Sequence, residues 1–227
     1  MARAKATAEQ ALLLEEPAEV GFRMEYNEDS GGHLYWCNGV GPLPGATSIT
    51  ALQEAVFGSD RLVNWAYKLA VTTAIDVYTE TQDAERARGA AWTAKRAAVR
   101  LGSAVHNAVE HMNKGEAMEL TPEIAPYVAH YGAFALQHGV KVVAVEQMIA
   151  NISLRYGGKF DLLAEVDDIL TLVDVKTGKP RDSYRLQLTG YEMAELRGDE
   201  GQEPVPMPKV ARVCALYLSP DGYDAHF

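Results

Sequence analysis

The sequence predicts an α/β fold with a mixed central sheet. Its core runs α-β-β-β-α-β, preceded by an N-terminal β-hairpin and elaborated with helices. Three observations predict it. Helical periodicity dominates from Ala46 to Gly139, β-rich alternating runs take over from Lys141, and one further helix interrupts those runs before a last strand. The chain has 227 residues, 48% hydrophobic and 23% charged, long enough to bury a sizeable core. We expect residues 1–20 to form a flexible tail and 21–227 a single domain, with a helical part over 46–139 and a sheet core over 140–227.

In chain order, the Ala-rich start runs into Glu15, Glu16 and Pro17 and reads as a frayed terminus. Phe22, Met24 and Tyr26 alternate, turn residues fill Asn27 to Gly32, and Leu34 to Cys37 is aromatic-rich, which predicts the hairpin. Gly39 to Gly45 reads as a loop, and Thr47 or Ser48 as the cap of a helix carrying Ile49, Leu52, Ala55 and Val56. A helix is expected from Asp60 to about Tyr78, with Leu62, Trp65, Ala66, Leu69 and Ala70 at helical spacing. A longer one follows from Ala84 to Asn113, stacking Leu101, Val105, Ala108 and Met112 on one stripe and capped by Gly115. Thr121-Pro122-Glu123 opens another, ending near His138.

Lys141 to Ala150 reads as a strand, Gly157-Gly158 as a turn, and Phe160–Val166 and Ile169–Val175 as strands joined by an Asp167-Asp168 turn. Ser183 to about Leu196 is helical, Val210 to Leu218 is a strand, and Ser219-Pro220-Asp221-Gly222 turns into an alternation at Tyr223, Ala225 and Phe227. That last strand reads as unfinished, so the natural protein is expected to continue past Phe227; intact-mass measurement of the native product decides it.

Composition limits the function classes. A formal net charge of −10 argues against a protein that coats nucleic acid non-specifically, although a local basic groove is compatible with it. The Leu12-Leu13-Leu14 triplet is closed at once by Glu15 and Glu16, so neither a secretory signal nor a membrane span is expected. Cys37 and Cys214 lie far apart, show no metal-ligand spacing and suit a reducing cytoplasm.

The chemistry concentrates between Tyr156 and Tyr191. Side chains two apart on a strand share a face, so Asp174 and Lys176 project together with Leu170 and Leu172 behind them. Asp161 lies opposite if the Asp167-Asp168 turn makes an antiparallel pair. Two carboxylates, with the carbonyl of Val175, make a hard oxygen site of the kind Mg²⁺ or Mn²⁺ prefers. A lysine beside such a site can orient or deprotonate a water, or offset charge in a phosphoryl transition state. Surface carboxylates with a salt-bridged lysine are the plainer reading; a charged end on an apolar strand is costly unless the site is wet or metal-bound.

Gly158-x-x-Asp161, Asp174-Val175-Lys176-Thr177-Gly178 and Gln187-x-x-x-Tyr191 together resemble the PD-(D/E)xK nuclease superfamily, and most closely its RecB-like branch with phage-encoded exonucleases. Gly102-Ser103-Ala104-Val105-His106 is similar to that branch's Gly-x-x-x-His segment, and the stretch Pro44–Thr50 and Trp65-Ala66 also look like its phage members. The resemblance implies a restriction-endonuclease-like core and a Mg²⁺- or Mn²⁺-dependent deoxyribonuclease, with exonuclease favoured over endonuclease, working in recombination, repair or replication. It implies that His106, Asp161 and Asp174 bind metal, that Lys176 is catalytic, and that Gln187 and Tyr191 approach the scissile phosphate. Glu146 matches a glutamate that supports such sites from behind the ligands. Gln187 and Tyr191 also read as core packing, and Glu146 as an exposed strand residue. Two cysteines are too few for the four-cysteine iron–sulphur cluster of related members, so no iron–sulphur cluster is expected.

DNA is the expected partner, approaching over Arg155, Lys159, Lys179, Arg181 and Arg185, with Arg100 on the helix leading to His106. The same cations also read as a mixed solvated face. A recombination or single-strand-annealing protein is a further expected partner, and the location is cytoplasmic (host cytoplasm if phage-encoded). The competing reading is a non-catalytic nucleic-acid-binding module of the same fold in a recombination complex.

Overall fold

The computed structural model describes residues 20–27, 32–50, 61–178, 180 and 182–227; of 61–68, 70, 91, 95, 182 and 183 it describes the backbone alone. The predicted tail up to residue 19, the turn at 28–31, the part of the first expected helix beyond residue 50, Lys179 and Arg181 lie outside the described residues. Residues 46–50 are helical and the Ile49 N–H bonds the Gly45 carbonyl at 3.1 Å, so Thr47 and Ser48 lie inside that helix and neither is its cap as expected.

Strands β1 (Phe22–Asn27), β2 (Gly32–Cys37) and β3 (Val40–Pro44) form an antiparallel meander in that order. The expected loop over 39–45 is therefore mostly a third strand. Helices α1 (Arg61–Thr81), α2 (Ala84–Lys114) and α3 (Ala125–Gln137) follow. Helix α2 begins where Asp83 accepts hydrogen bonds from the N–H groups of Glu85 and Arg86, satisfying two of the free donors at the helix start. It ends at Gly115, whose φ of 69° is the left-handed cap that glycine adopts without a Cβ penalty.

The central sheet has the order β12-β11-β8-β7-β4. It contains β4 (Lys141–Val145), β7 (Leu162–Val166), β8 (Ile169–Lys176), β11 (Arg212–Ser219) and β12 (Gly222–His226). Only the β8–β11 pair is parallel, and helix α4 (Asp182–Glu192) makes that crossover. The sheet is thus mixed, and α2, β4, β7, β8, α4 and β11 trace the expected core. Asp167 and Asp168, with φ of 53° and 60°, form the two-residue turn that joins β7 to β8 antiparallel, as the sequence predicted.

Two expectations are corrected. The strand expected over Lys141–Ala150 is two strands: β4 in the central sheet, and β5 (Met148–Asn151) in a second, four-stranded sheet of order β10-β9-β5-β6. The chain breaks at Glu146, which sits at φ 53°. The turn expected at Gly157-Gly158 is strand β6 (Tyr156–Lys159), paired with β5. These glycines are needed for close approach. A Cβ on Gly157 would lie 2.6 Å from Cβ of Tyr35, and one on Gly158 would lie 2.9 Å from the Tyr191 ring. Strands β9 (Leu196–Gly198) and β10 (Val205–Pro206) complete that sheet.

The period-2 pattern of β8 divides the core. Val173 and Val175 face α2 and α3, packing with Val105, Val109, Tyr131 and Phe134. Leu172 faces the other way, against Leu188 and Tyr191 of α4. On α2 the buried positions are Val105, Ala108 and Val109; Met112, expected on that stripe, is 45% exposed at its edge. Burial of the α2–α3 face fixes where His106 emerges.

Candidate active site

The side chains singled out on β8 lie at the carboxyl end of that strand, the end where open α/β sheets leave a crevice. Asp174 is buried at 1% exposure, and Lys176 is only 15% exposed. Lys176 Nζ lies 2.6 Å from Oδ2 of Asp174 and 5.0 Å over the Tyr184 ring. Asp161 immediately precedes β7, which runs antiparallel to β8, so the two carboxylates meet at one end of the sheet. Oδ2 of Asp161 accepts the Val175 N–H at 2.6 Å, and Nδ1 of His106 lies 3.4 Å from that oxygen.

His106 reaches this point because Val105, Ala108 and Val109 hold its helix on the sheet. Glu146 reaches it because the chain leaves the central sheet there. The Glu146 N–H donates to the Asp161 carbonyl at 2.9 Å, so its backbone stays in register while its positive φ redirects the chain. One ligand atom each from His106, Glu146 and Asp161 lie within 4.8 Å of one another. The second oxygen-bearing acid of this trio is Glu146; Asp174 stands beside it, paired to Lys176. Lys159, expected to contact DNA, places Nζ 2.6 Å from Glu146 Oε2.

The electrostatics follow from burial and proximity. Burial pushes Asp174 up to about 6, because the Lys176 charge only partly offsets the lost solvation. Burial also acts to raise Asp161, but the His106 and Lys176 charges and the Val175 N–H outweigh it and hold Asp161 below its ordinary value. For Lys176, burial acts to lower the pKa and Asp174 and Asp161 overcome it, so the ammonium sits above its ordinary value. His106 is raised in the same way: Asp161 outweighs desolvation. Glu146 is raised by burial and by Asp161, against the pull of Lys159.

Two observations make the cluster fit for a divalent cation. An imidazole and two carboxylates converge, the donor types that Mg²⁺, Mn²⁺ and related ions accept. In addition, Asp174 adds a buried carboxylate beside that trio, its Oδ2 held 2.6 Å from Lys176 Nζ.

Gln187 and Tyr191 face one another across one turn of α4, with Nε2 of Gln187 donating to the Tyr191 hydroxyl at 2.6 Å. Both are buried, at 9% and 3% exposure, and burial raises the Tyr191 phenol above its ordinary value. Thr47, within the Pro44–Thr50 stretch, is a second hydrogen-bond partner of Tyr191. That stretch therefore buttresses the α4 wall of the site. The cations expected to line one groove are distributed otherwise. Arg155 is exposed in the β5–β6 turn, at the end of that hairpin away from Lys159 and Glu146. Arg185 lines a hollow beside Val213, Ala215 and Phe227, and Arg100 is exposed on α2.

Sequence reasoning missed a cleft of about 760 Å³ that opens beside His106 and Lys176. Its walls come from Ala98, Val99 and Leu101 of α2, from Thr177, Gly178 and Pro180 after β8, and from the β11–β12 turn. The tyrosines there, Tyr184, Tyr217 and Tyr223, occur on three elements and share no spacing that would group them in sequence.

Fold and cluster together define a restriction-endonuclease-like α/β protein with an acidic, lysine-bearing crevice. The profile of the PD-(D/E)XK nuclease superfamily matches residues 76–222, well over half of the chain, and the protein belongs to that superfamily. It is a member of a nuclease family, which implies a DNA substrate. A comparison with curated proteins returns no match. Among the described residues no helix is long and apolar enough to cross a membrane.

Proposed function

We propose that this protein is a Mg²⁺- or Mn²⁺-dependent deoxyribonuclease of the RecB-like branch, acting as an exonuclease in recombination, repair or replication, with residues 21–227 as its nuclease domain. The observation that carries the reading is the convergence of His106, Glu146 and Asp161 within 4.8 Å, beside the Asp174–Lys176 pair. The exonuclease preference and the pathway rest on the similarity of Gly102–His106, Asp174–Gly178 and Gln187–Tyr191 to phage exonucleases.

His106, Asp161, Glu146 and Asp174 hold the ion in this reading, with Val175 fixing Asp161 through its N–H. When bound, the ion supplies Lewis-acid polarisation of the phosphate and a lowered pKa for water. The chain's own groups do the rest. Lys176, oriented by Asp174 and by the Tyr184 ring, sets a positive charge where negative charge grows on the phosphoryl oxygens. Gln187 and Tyr191 fix the α4 wall that borders the reacting group. The low exposure of Asp174 and Lys176 strengthens each of these interactions by keeping bulk water away.

A time course on end-labelled linear and covalently closed circular DNA, with Mg²⁺, Mn²⁺ or EDTA, tests the reading. Metal-dependent loss of the end label with the circle intact is expected. Activity undiminished by EDTA, or full activity in purified Lys176→Ala, refutes the mechanism; cutting of the circle refutes the exonuclease assignment.

A further inference from the structure

We propose that Lys159 is a positioning residue of the metal centre: its ammonium aims the Glu146 carboxylate at His106 and Asp161 and so sets the affinity for the ion. The proposal rests on the nuclease reading above and adds a residue to its site. In the sequence this lysine reads as a DNA contact, but in the fold its charge is spent on a carboxylate. Nζ of Lys159 lies 2.6 Å from Oε2 of Glu146, and the two side chains are 36% and 17% exposed.

Backbone geometry is the first argument. Lys159 ends β6 and pairs with Met148 of β5, so its Cα is held by a strand ladder. The Phe160 N–H donates to the Gln147 carbonyl at 3.1 Å, and the Glu146 N–H donates to the Asp161 carbonyl at 2.9 Å. These two bonds lock residues 159–161 against 146–147 where the chain passes between the two sheets. Phe160 is buried in the core, and the residues on either side of it, Lys159 and Asp161, both bring their charges to Glu146.

The second argument is that Glu146 needs a partner. It stands at φ 53° on the segment that leaves the central sheet, with Asp161 converging on it within 4.8 Å. Like charges at that separation repel, and a glutamate side chain is free to swing away unless a cation holds it. Among the described residues, Lys159 is the cation in ion-pair contact with Glu146. The other acids of the cluster are held in the same manner, Asp174 by Lys176 at 2.6 Å and Asp161 by His106 at 3.4 Å. At 17% exposure Glu146 also escapes much of the solvent screening that weakens surface pairs. Groups that hydrogen-bond a metal's ligands from behind orient them, and losing one typically weakens metal binding about 10–100-fold.

An ammonium near a bound cation also repels it. If repulsion outweighed orientation, neutralising Lys159 would tighten metal binding, so the sign of the change is decisive.

Mn²⁺ binding to full-length protein without DNA, followed by the electron paramagnetic resonance signal of free Mn²⁺, tests this. Lys159→Met keeps an unbranched side chain, removes the charge, and should weaken Mn²⁺ binding at least about tenfold. Lys159→Arg should restore most of the affinity, and Lys159→Gln gives a second neutral variant should the first not fold. In a Glu146→Gln background Lys159→Met should add no further loss, because the lysine acts through that carboxylate. Binding of labelled DNA in EDTA should be unchanged by Lys159→Met, and its lost degradation should return at saturating Mn²⁺. Unchanged or tighter Mn²⁺ binding in the folded neutral variants overturns the proposal, as does a full additional loss in the Glu146→Gln background. Weaker DNA binding with Mn²⁺ affinity intact also overturns it and makes Lys159 a DNA contact. If wild type binds Mn²⁺ and degrades DNA while Lys159→Met binds the ion equally well, the positioning role falls and the nuclease reading stands. Wild type that binds no Mn²⁺ brings down the metal-dependent nuclease reading, and this proposal with it.

Discussion

The two ends of the central sheet carry the same residue types under opposite conditions. At the carboxyl end of β8, Asp161, Asp174, Lys176 and His106 are largely withdrawn from water. At the other end, around the β7–β8 turn, Lys141 bonds Asp168 at 2.5 Å and Glu165 at 3.3 Å, and His138 lies 3.0 Å from Asp167. There Lys141 and Asp168 are 63% and 83% exposed. Short ion-pair distances occur at both ends, so distance does not separate them. Burial does. In water an ion pair is screened and yields little net free energy, whereas in the crevice each charge depends on its neighbours.

Removing single charges should break the symmetry most sharply. Asp174→Ala and Lys176→Ala are expected to lower the rate of DNA degradation at least about a hundredfold, the scale of losing one preorganised charge contact. Lys141→Ala and Asp168→Asn, which keeps a residue suited to the positive φ of that turn, should leave that rate and the melting midpoint unchanged. Comparable losses at both ends would mean that the charges act through global stability.

Packing around the crevice gives the next largest effect. Gly158→Ala pushes a Cβ to 2.9 Å from the Tyr191 ring, and overpacking of this kind costs about 1–3 kcal/mol. Denaturant melts should show that loss, together with reduced activity as the Gln187–Tyr191 pair shifts. An alanine tolerated without cost would show that the α4 wall is free to move.

At the opposite end Arg212 is the exception to cheap charges. Its guanidinium lies 4.1 Å over the Phe227 ring, donates to the Val166 carbonyl at 2.6 Å, and bonds the buried Thr171 hydroxyl at 3.2 Å. Arg212→Ala should cost about 1–2 kcal/mol through lost packing and hydrogen bonding, with no change in the catalytic rate per folded molecule.

Acid titration of stability in EDTA is the finest discriminator. Asp174 has its pKa raised in the fold, so between its ordinary value and about 6 the folded state binds more protons than the unfolded one. Its contribution therefore declines as pH rises through that window. Asp167 is held below its ordinary value by His138 and Arg212, so its contribution is present above that value and is lost as pH falls through the depressed pKa. Asp174→Asn and Asp167→Asn should remove slopes of opposite sign, measurable by urea melts from pH 3 to 7. Slopes of the same sign would contradict the contrast in burial.

Much of this was legible in the sequence because it is local. The alternation of β8 announced which side chains face the crevice, the Asp167-Asp168 turn set the β7–β8 register, and Gly115 marked the end of α2. Gly157-Gly158 was misread for a physical reason. The same residue type serves a positive-φ turn and a backbone that must pass under a ring, and only the neighbours, Tyr35 and Tyr191, tell the two apart. The second sheet was missed because strands of two to four residues are too short to establish a period.

The sequence by itself determined the chemistry available: an acid and a lysine two apart on an apolar strand, a second acid opposite, and a histidine on an amphipathic helix. Tertiary structure alone decided which of these meet. His106 joins Asp161 only because the α2 stripe docks on the sheet. Glu146 joins them only because the chain turns out of that sheet with a positive φ. The tyrosine cleft exists only where α2, the segment after β8 and the β11–β12 turn come together. Periodicity encodes which face a side chain takes on its own element; convergence of side chains dozens of residues apart depends on how those faces pack.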